Sequence, residues 1–129
     1  MNQKVFNTVI KDQIEKCLNT LGVKATEYAE NDDRLHNFKN AAGMMNCDPK
    51  EALAGMMAKH TISIYDMCRS GESYPLSLWE EKIGDHINYL LLLKALIVED
   101  GFSKCCSENT NKKMEETNNV GTSTENGVV

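Results

Sequence analysis

Three polar residues near the chain's most apolar region, Glu81, Asp85 and Asn88, are spaced so that one helix face carries all of them. At about 100° per residue, Asp85 falls about 40° from Glu81 on a helical wheel, and Asn88 falls about 20° on its other side. Two carboxylates one turn apart can share a hard cation, because Mg²⁺ prefers oxygen ligands in octahedral positions. The stripe therefore predicts a metal site. The alternative is the solvated face of an amphipathic helix, which the residue types alone favour.

A second pair of carboxylates, Glu27 and Glu30 in the segment EYAE, is spaced i, i+3. If this segment is helical, both side chains point the same way. Facing Glu81 and Asp85, they would complete a set of four carboxylates that hold one or two Mg²⁺ ions against a polyphosphate. The alternative is a solvated acidic turn, which is the favoured interpretation when the pair is considered alone.

Two cationic residues suit contact with phosphate. Arg34 lies beside the acidic segment, and its planar guanidinium can bind phosphate through two hydrogen bonds. Lys59 lies in the middle of a later predicted helix, where it offers a flexible point charge. Its neighbour His60 is on the apolar side of that helix, and such a histidine is more often a packed core residue than a ligand.

Apolar residues at steps of three or four predict the first helix over residues 6–21. It ends either at Gly22 or, because one glycine costs only about 1 kcal/mol inside a helix, near Asn31. A short second helix is predicted over residues 34–45. Since no segment has the alternation of a strand, the sequence predicts an all-α bundle of about four helices.

Capping signals define the third and fourth predicted helices. Asp48 suits the N-cap of the third helix, Pro49 its first position, and Gly71 the left-handed residue after its end. A capping box at Ser77 predicts the start of the fourth helix, which carries the polar stripe and ends near Glu99.

The 129 residues fit one domain, which we assign to residues 1–102. Residues 103–129 are rich in Asn, Thr, Ser and Glu, and their few apolar residues have no period. We expect a disordered polar tail here, because such a segment buries too little surface to offset its ordering entropy. A domain of about one hundred residues has a modest core, so a homo-oligomer is expected.

Composition also excludes some partners. The net charge of −5 is spread along the chain without a basic patch, so duplex nucleic acid is not expected as a partner. The most apolar stretch, residues 89–98, is too short to span a membrane. Five cysteines without a CxxC spacing suggest neither a zinc site nor a disulfide framework. Since no signal peptide is recognised, we expect a cytoplasmic protein.

Three segments in this order, EYAENDDRLHNF, AKHTISIYDM and WEEKIGDHINYLLLLKALI, resemble small phage and prophage proteins related to the MazG-like all-α nucleotide pyrophosphohydrolases. The likeness is greatest to a phage branch associated with nucleotide modification, and it covers about residues 20–98. Its most specific part is Asp85-x-x-Asn88-Tyr89, preceded by the acidic Glu81.

The resemblance implies a helical oligomer in the host cytoplasm that binds a (d)NTP with Mg²⁺ and cleaves the bond between the α- and β-phosphates. In that reading Glu81 and Asp85 are the catalytic residues and hold the metal, together with Glu27 or Glu30. Arg34 and Lys59 neutralise phosphate charge, and Asn88 orients the ligand or a water molecule; these three are the predicted ligand-binding residues.

Two departures from the family's pattern support a second hypothesis. The residue three before Asp85 is Lys82, so the acidic partner has to be Glu81, one position further back. The third predicted helix lacks the Glu-x-x-Glu pair of the superfamily and carries Lys59 and His60 instead. The alternative is therefore a non-catalytic protein on the same scaffold, which binds a nucleotide or blocks a host defence protein.

Overall fold

The computed structural model describes the backbone of residues 1–27 and 33–118 and the side chains of residues 1–23 and 33–104. Within these residues the chain is helical and has no strand, which confirms the predicted all-α class. The helices, numbered in chain order, are α1 (Gln3–Glu27), α2 (His36–Met45), α3 (Pro49–Arg69) and α4 (Leu76–Asn118). Among the described residues, no helix combines the length and the apolar character that crossing a membrane requires.

Helix α1 does not end at Gly22 but continues to Glu27, and the alternative end near Asn31 lies outside the described residues. Large apolar side chains on its predicted stripe remain exposed in its N-terminal half; Phe6 is 49% exposed and Ile10 48%. Further along the helix, Cys17 is 1% exposed. The apolar stripe is therefore buried within the chain near Cys17 but not along its whole length.

Local sequence sets both ends of α3 as predicted. Asp48 is the N-cap, and its Oδ1 accepts a 2.8 Å hydrogen bond from the backbone N–H of Lys50. Pro49 occupies the first helical position, where a backbone N–H has no acceptor within the helix. Beyond Arg69 the chain turns at Gly71, whose φ of 70° is in the left-handed region that favours glycine.

The start of α4 differs from the prediction. The backbone carbonyl of Pro75 accepts hydrogen bonds from the N–H groups of Leu78 and Trp79, at 3.0 and 3.4 Å. The helix therefore begins at Leu76, and Ser77 lies inside its first turn. The predicted capping box at Ser77 is wrong, because Pro75 occupies the N-cap position and Ser77 is the second residue of the helix.

The end of α4 also differs, since the helix passes Gly101 and continues to Asn118 instead of ending near Glu99. One glycine inside a helix costs only about 1 kcal/mol, which the helix-forming residues around it can offset. The chain divides into two compact units, Met1–Leu96 and Ile97–Val129. The core and the candidate site described below lie in the first unit.

An apolar cluster joins α2, α3 and α4. Tyr89 of α4 packs against this cluster and meets the ring of Phe38 edge to face, with centroids 6.3 Å apart and planes at 69°. Edge-to-face pairs of this kind stabilise a core by about 0.5–1.5 kcal/mol beyond the area they bury. These contacts hold the middle of α4 against α2 and α3. The buried members of the cluster are Leu35, Phe38, Leu53 and Leu96.

The segment that leads into α2 is held by Asp33. One of its carboxylate oxygens accepts a 2.9 Å hydrogen bond from the backbone N–H of Leu35, and the other lies 2.6 Å from Nζ of Lys39. The hydrogen bond from Lys39, followed by the one from Leu35, keeps the pKa of Asp33 below its usual value. The backbone on both sides of Arg34 is thus held at the start of α2.

Gly71 and Gly55 provide a matched test of this geometry, because a Cβ added to either meets nothing within 4 Å. Gly71 has a positive φ, whereas Gly55 lies inside α3. We expect Gly71→Ala to lower the free energy of unfolding by about 1 kcal/mol, and Gly55→Ala to raise it by about 0.5–1 kcal/mol. Urea denaturation measures both changes. A stabilising effect of Gly71→Ala would show that this position is not left-handed.

Candidate functional site

The predicted polar stripe of α4 passes from exposed to buried along the helix. The side chain of Glu81 is 61% exposed and that of Asp85 is 33% exposed, whereas Asn88 is only 7% exposed. A solvated helix face would leave all three in water. The solvated-face interpretation therefore fits Glu81 but is wrong for Asn88.

Asp85 is contacted from α3 by His60, whose Nδ1 lies 3.6 Å from a carboxylate oxygen of Asp85. This distance is longer than a normal hydrogen bond, so the two groups are neighbours without a direct bond. The His60 ring also lies against the ring of Tyr89, with centroids 4.9 Å apart and planes at 36°. One residue further along each helix, Thr61 Oγ1 and His86 Nε2 lie 3.2 Å apart and connect the same two helices.

Burial lowers the pKa of His60, because the charged imidazolium is disfavoured away from water. Asp85 acts in the opposite direction, and the nearby Lys59 and Lys82 lower the pKa further. The imidazole is therefore mainly neutral near pH 7. A neutral ring packs beside Asp85 without placing a positive charge next to the carboxylate.

Asn88 carries the least expected feature of the site. Its Oδ1 is buried and has no hydrogen-bond partner among the described residues. A buried acceptor without a donor costs about 1–3 kcal/mol of stability. Such an atom is rare in a folded protein, and an explanation for it is a ligand that supplies the missing donor.

A groove of about 640 Å³ runs between α1 and α4. Most of its lining residues are polar, and they include Glu81 and Asp85, with a third carboxylate from Glu80. Lys16 of α1 forms an ion pair of 2.7 Å with Glu80, which places one cation on the opposite wall. The remaining lining residues are Gln13, Cys17, Asn19, Thr20, Ser77, Gly84 and Asn88.

Gly84 allows α1 to approach α4 at this groove. A Cβ added to Gly84 would lie 3.1 Å from Nε2 of Gln13 and 3.9 Å from Sγ of Cys17. Gln13 Nε2 donates a 3.4 Å hydrogen bond to the backbone carbonyl of Glu80, and the Cys17 thiol lies 3.9 Å from the carbonyl of Gly84. The missing side chain at Gly84 thus brings the wall of α1 next to the stripe.

A smaller pocket of about 160 Å³ lies where α2, α3 and α4 meet, and α1 contributes one residue to it. Asp85 and Asn88 line this pocket as well as the larger groove, so they stand between the two cavities. Its other walls are partly aromatic and partly polar. They comprise Leu21, Arg34, Asn37, Phe38, Met56, Tyr89 and Leu92.

The structure brings together several of the predicted site residues. Arg34 joins Asp85 and Asn88 in the smaller pocket, and Glu81 joins them in the larger groove. Lys59 lines a separate groove of about 470 Å³, formed by α3 and the connector that follows it. Of the predicted cations, Arg34 is therefore the one that shares a cavity with the stripe.

Sequence reasoning missed Asn37 and Gly84. Gly84 lies four residues before Asn88 and three after Glu81, so it belongs to the stripe's own face of α4. A glycine on the polar face of a long helix is a signal of close helix approach, and this signal was available in the sequence. Asn37, three residues after Arg34 in RLHNF, carried no comparable signal.

The structure describes two of the four predicted metal ligands, Glu81 and Asp85. The side chain of Glu27 and the whole of Glu30 lie outside the described residues, so their distance from Asp85 stays a prediction. Among the described side chains, no three of His, Cys, Asp and Glu are grouped to hold a metal ion. Glu81 and Asp85 supply oxygen donors of the kind that Mg²⁺ binds.

No protein-family model, no curated protein and no solved structure matches this chain.

The buried acceptor of Asn88 leads to a prediction about stability. We expect Asn88→Leu to raise the free energy of unfolding by about 1 kcal/mol, because it removes an unpaired polar group from an apolar environment. Asn40→Leu, at an exposed position of α2, is the control and should change it by less than about 0.5 kcal/mol. Chemical denaturation without ligand measures both. A loss of more than about 1 kcal/mol in Asn88→Leu would show that the amide is satisfied in the folded chain.

Proposed function

We propose that this protein is a Mg²⁺-dependent nucleotide pyrophosphohydrolase of the MazG-like kind, which converts a (d)NTP to a monophosphate and pyrophosphate. The observation that supports it is the position of Asp85 and Asn88, which line both the larger groove and the smaller pocket. Two adjoining cavities of different chemistry suit a ligand with two different parts. A nucleotide has such parts, a planar base and a charged polyphosphate.

Glu81 and Asp85 are the residues that we assign to Mg²⁺, with Glu27 or Glu30 as further ligands. The assignment fits the chemistry of the larger groove, whose lining includes both of the first two carboxylates. When bound, the ion supplies positive charge that stabilises the negative charge on the phosphates. His60 of α3 lies 3.6 Å from Asp85 and, being mainly neutral, adds no positive charge beside it.

The reaction is an attack of water on the α-phosphorus. The bond from that phosphorus to the oxygen bridging the α- and β-phosphates breaks, and pyrophosphate leaves. Arg34 and Lys59 are assigned to neutralise phosphate charge, and Arg34 is the better placed of the two because it shares a pocket with Asp85. Asn88 orients the bound nucleotide.

The location and the partners that we propose follow from the resemblance, and the oligomeric state follows from the exposed side chains of α1. A phage or prophage protein acting on the host's nucleotide pool would work in the cytoplasm and needs neither a membrane nor duplex nucleic acid. The exposed apolar side chains of α1 support a homo-oligomer, because Phe6 and Ile10 are each about half exposed in the single chain.

The catalytic assignment is tested by Asp85→Asn. We expect this variant to retain the helical circular dichroism of the wild type and to lose at least about 100-fold in pyrophosphate release from a (d)NTP with Mg²⁺, since a neutral amide is a weaker ligand for the ion. Asp66→Asn, at an exposed position in the groove of Lys59, is the control and should keep the wild-type rate. Wild-type turnover by Asp85→Asn would contradict the proposal.

The second candidate is a nucleotide-binding protein without catalysis, which sequesters a nucleotide or uses the same scaffold to block a host defence protein. The unpaired Oδ1 of Asn88 favours it, because a buried acceptor serves recognition and needs no chemical step. The two candidates share the site and differ in what happens to the ligand after it binds.

Calorimetry with (d)NTPs, with and without Mg²⁺, separates these candidates. Sequestration predicts micromolar or tighter binding, a free energy of about −8 kcal/mol or more negative, and no pyrophosphate in the sample afterwards. Hydrolysis predicts a continuous Mg²⁺-dependent heat of reaction and accumulation of pyrophosphate. If no (d)NTP binds with or without Mg²⁺, both candidates are refuted, and a purely structural oligomer is the hypothesis that remains.

A further inference from the structure

We infer that the smaller pocket binds the base of the nucleotide and selects a ring edge on which an N–H donor stands beside a carbonyl oxygen. Uracil, thymine, guanine and hypoxanthine have such a lactam edge. Adenine and cytosine present an amino group beside an unprotonated ring nitrogen instead. The inference rests on the proposed function for the identity of the ligand as a nucleotide, and it adds the class of base.

The size of the pocket suits one ring system. Its volume of about 160 Å³ is below the roughly 300–1,000 Å³ of pockets that bury drug-sized ligands, and it is several times the roughly 30 Å³ of a water molecule. A whole nucleotide does not fit, but a base does. The rest of the molecule would extend past Asp85 and Asn88 into the larger groove.

The walls of the pocket suit a flat ring. Phe38 and Tyr89 are held at a fixed angle by their edge-to-face contact, and Tyr89 is further held by the ring of His60. Met56 and Leu92 pack against the same core. Rigid aromatic and apolar walls of this kind favour planar ligands and exclude water from the polar edge.

Asn88 lines the pocket and has an unpaired acceptor that a donor on the ligand can satisfy. Asn88 is 93% buried, and its Oδ1 has no donor among the described residues. An N–H of the ring would satisfy it, and an unprotonated ring nitrogen would place two acceptors against each other. Asp85, on the same face of α4, adds carboxylate oxygens, so two side chains on this wall of the pocket can accept from an N–H of the ligand.

The residues that α2 and the segment before it contribute to the pocket supply donors. Arg34 carries only N–H groups, and Asn37 carries an amide NH₂ beside its carbonyl. A carbonyl oxygen has two lone pairs and accepts the forked hydrogen bonds of a guanidinium, whereas a ring nitrogen has one. Acceptors on α4 and donors at Arg34 and Asn37 thus match an N–H that stands next to a carbonyl.

Free nucleosides test this inference without phosphate or metal. Uridine, 5-methyluridine and 3-methyluridine are titrated into the full chain in the presence of a chelator, and binding is followed by ¹H–¹⁵N NMR. Methylation at N3 removes the ring donor, whereas methylation at C5 adds the same group and keeps the donor. We expect uridine and 5-methyluridine to bind within about threefold of each other, and 3-methyluridine to bind at least about tenfold more weakly. Guanosine against 1-methylguanosine repeats the comparison for a purine.

Variants connect the selectivity to Asn88. In Asn88→Leu the preference for uridine over 3-methyluridine should fall to less than about twofold, because the acceptor that reads the donor is gone. Asn40→Leu, at the exposed position of α2, should keep the full preference. If Asn88→Leu does not fold, Asn88→Ala provides the same comparison with a smaller side chain.

Equal binding of uridine and 3-methyluridine to the wild type would overturn the inference, and so would the absence of binding by every nucleoside. Preferential binding of cytidine and adenosine would overturn it as well. Selective nucleoside binding in a preparation that releases no pyrophosphate would refute the proposed hydrolysis and leave the base pocket standing. Turnover of a (d)NTP without any selectivity for the lactam edge would support the proposed hydrolysis and refute the base pocket.

Discussion

The rotation of α4 about its own axis is set by Tyr89, which contacts Phe38 of α2 and His60 of α3. A shift of one residue along this helix would turn its side chains by about 100° and carry Asn88 out of the core. With Tyr89 in this position, Asp85 lies beside His60, and Asn88 is buried. The smaller pocket and the buried amide depend on this arrangement of three rings, whereas the larger groove also depends on the approach of α1 at Gly84.

A buried amide oxygen without a donor is a disadvantage for a domain of this size. Folded domains are stable by about 5–15 kcal/mol, so a penalty of about 1–3 kcal/mol is a substantial fraction. Leucine or methionine would fill the position without it. Binding sites commonly keep groups that destabilise the free protein, because the ligand pairs with them. Asn88 fits this description, and Asp85, held at 3.6 Å from a mainly neutral histidine, is similarly left able to accept a further contact.

The sequence predicted those features that depend on neighbouring residues. The cap at Asp48 and the left-handed turn at Gly71 follow from residue type alone, and the all-α class follows from helical periodicity. The burial of Asn88 could not be predicted, because it results from contacts with residues distant in the chain. On a helical wheel Asn88 and Glu81 are equivalent, and the packing of α2 and α3 against one end of the stripe distinguishes them. His60 was correctly expected to be packed, but its contact with Asp85 joins two helices.

The N-terminal half of α1 has few buried side chains, and this affects the larger groove. Because much of its N-terminal half is exposed in the single chain, this half has few tertiary contacts to stabilise it and depends on continuation of the helix from the packed region at Cys17. Its backbone amides will open and exchange hydrogen sooner than those of α3, where Leu53 is fully buried. The groove wall on α1, at Gln13 to Thr20, follows this exposed half directly in the same helix. A ligand that bridges α1 and α4 at this wall will hold the part of α1 from which the exposed half extends, so binding and N-terminal order will be coupled.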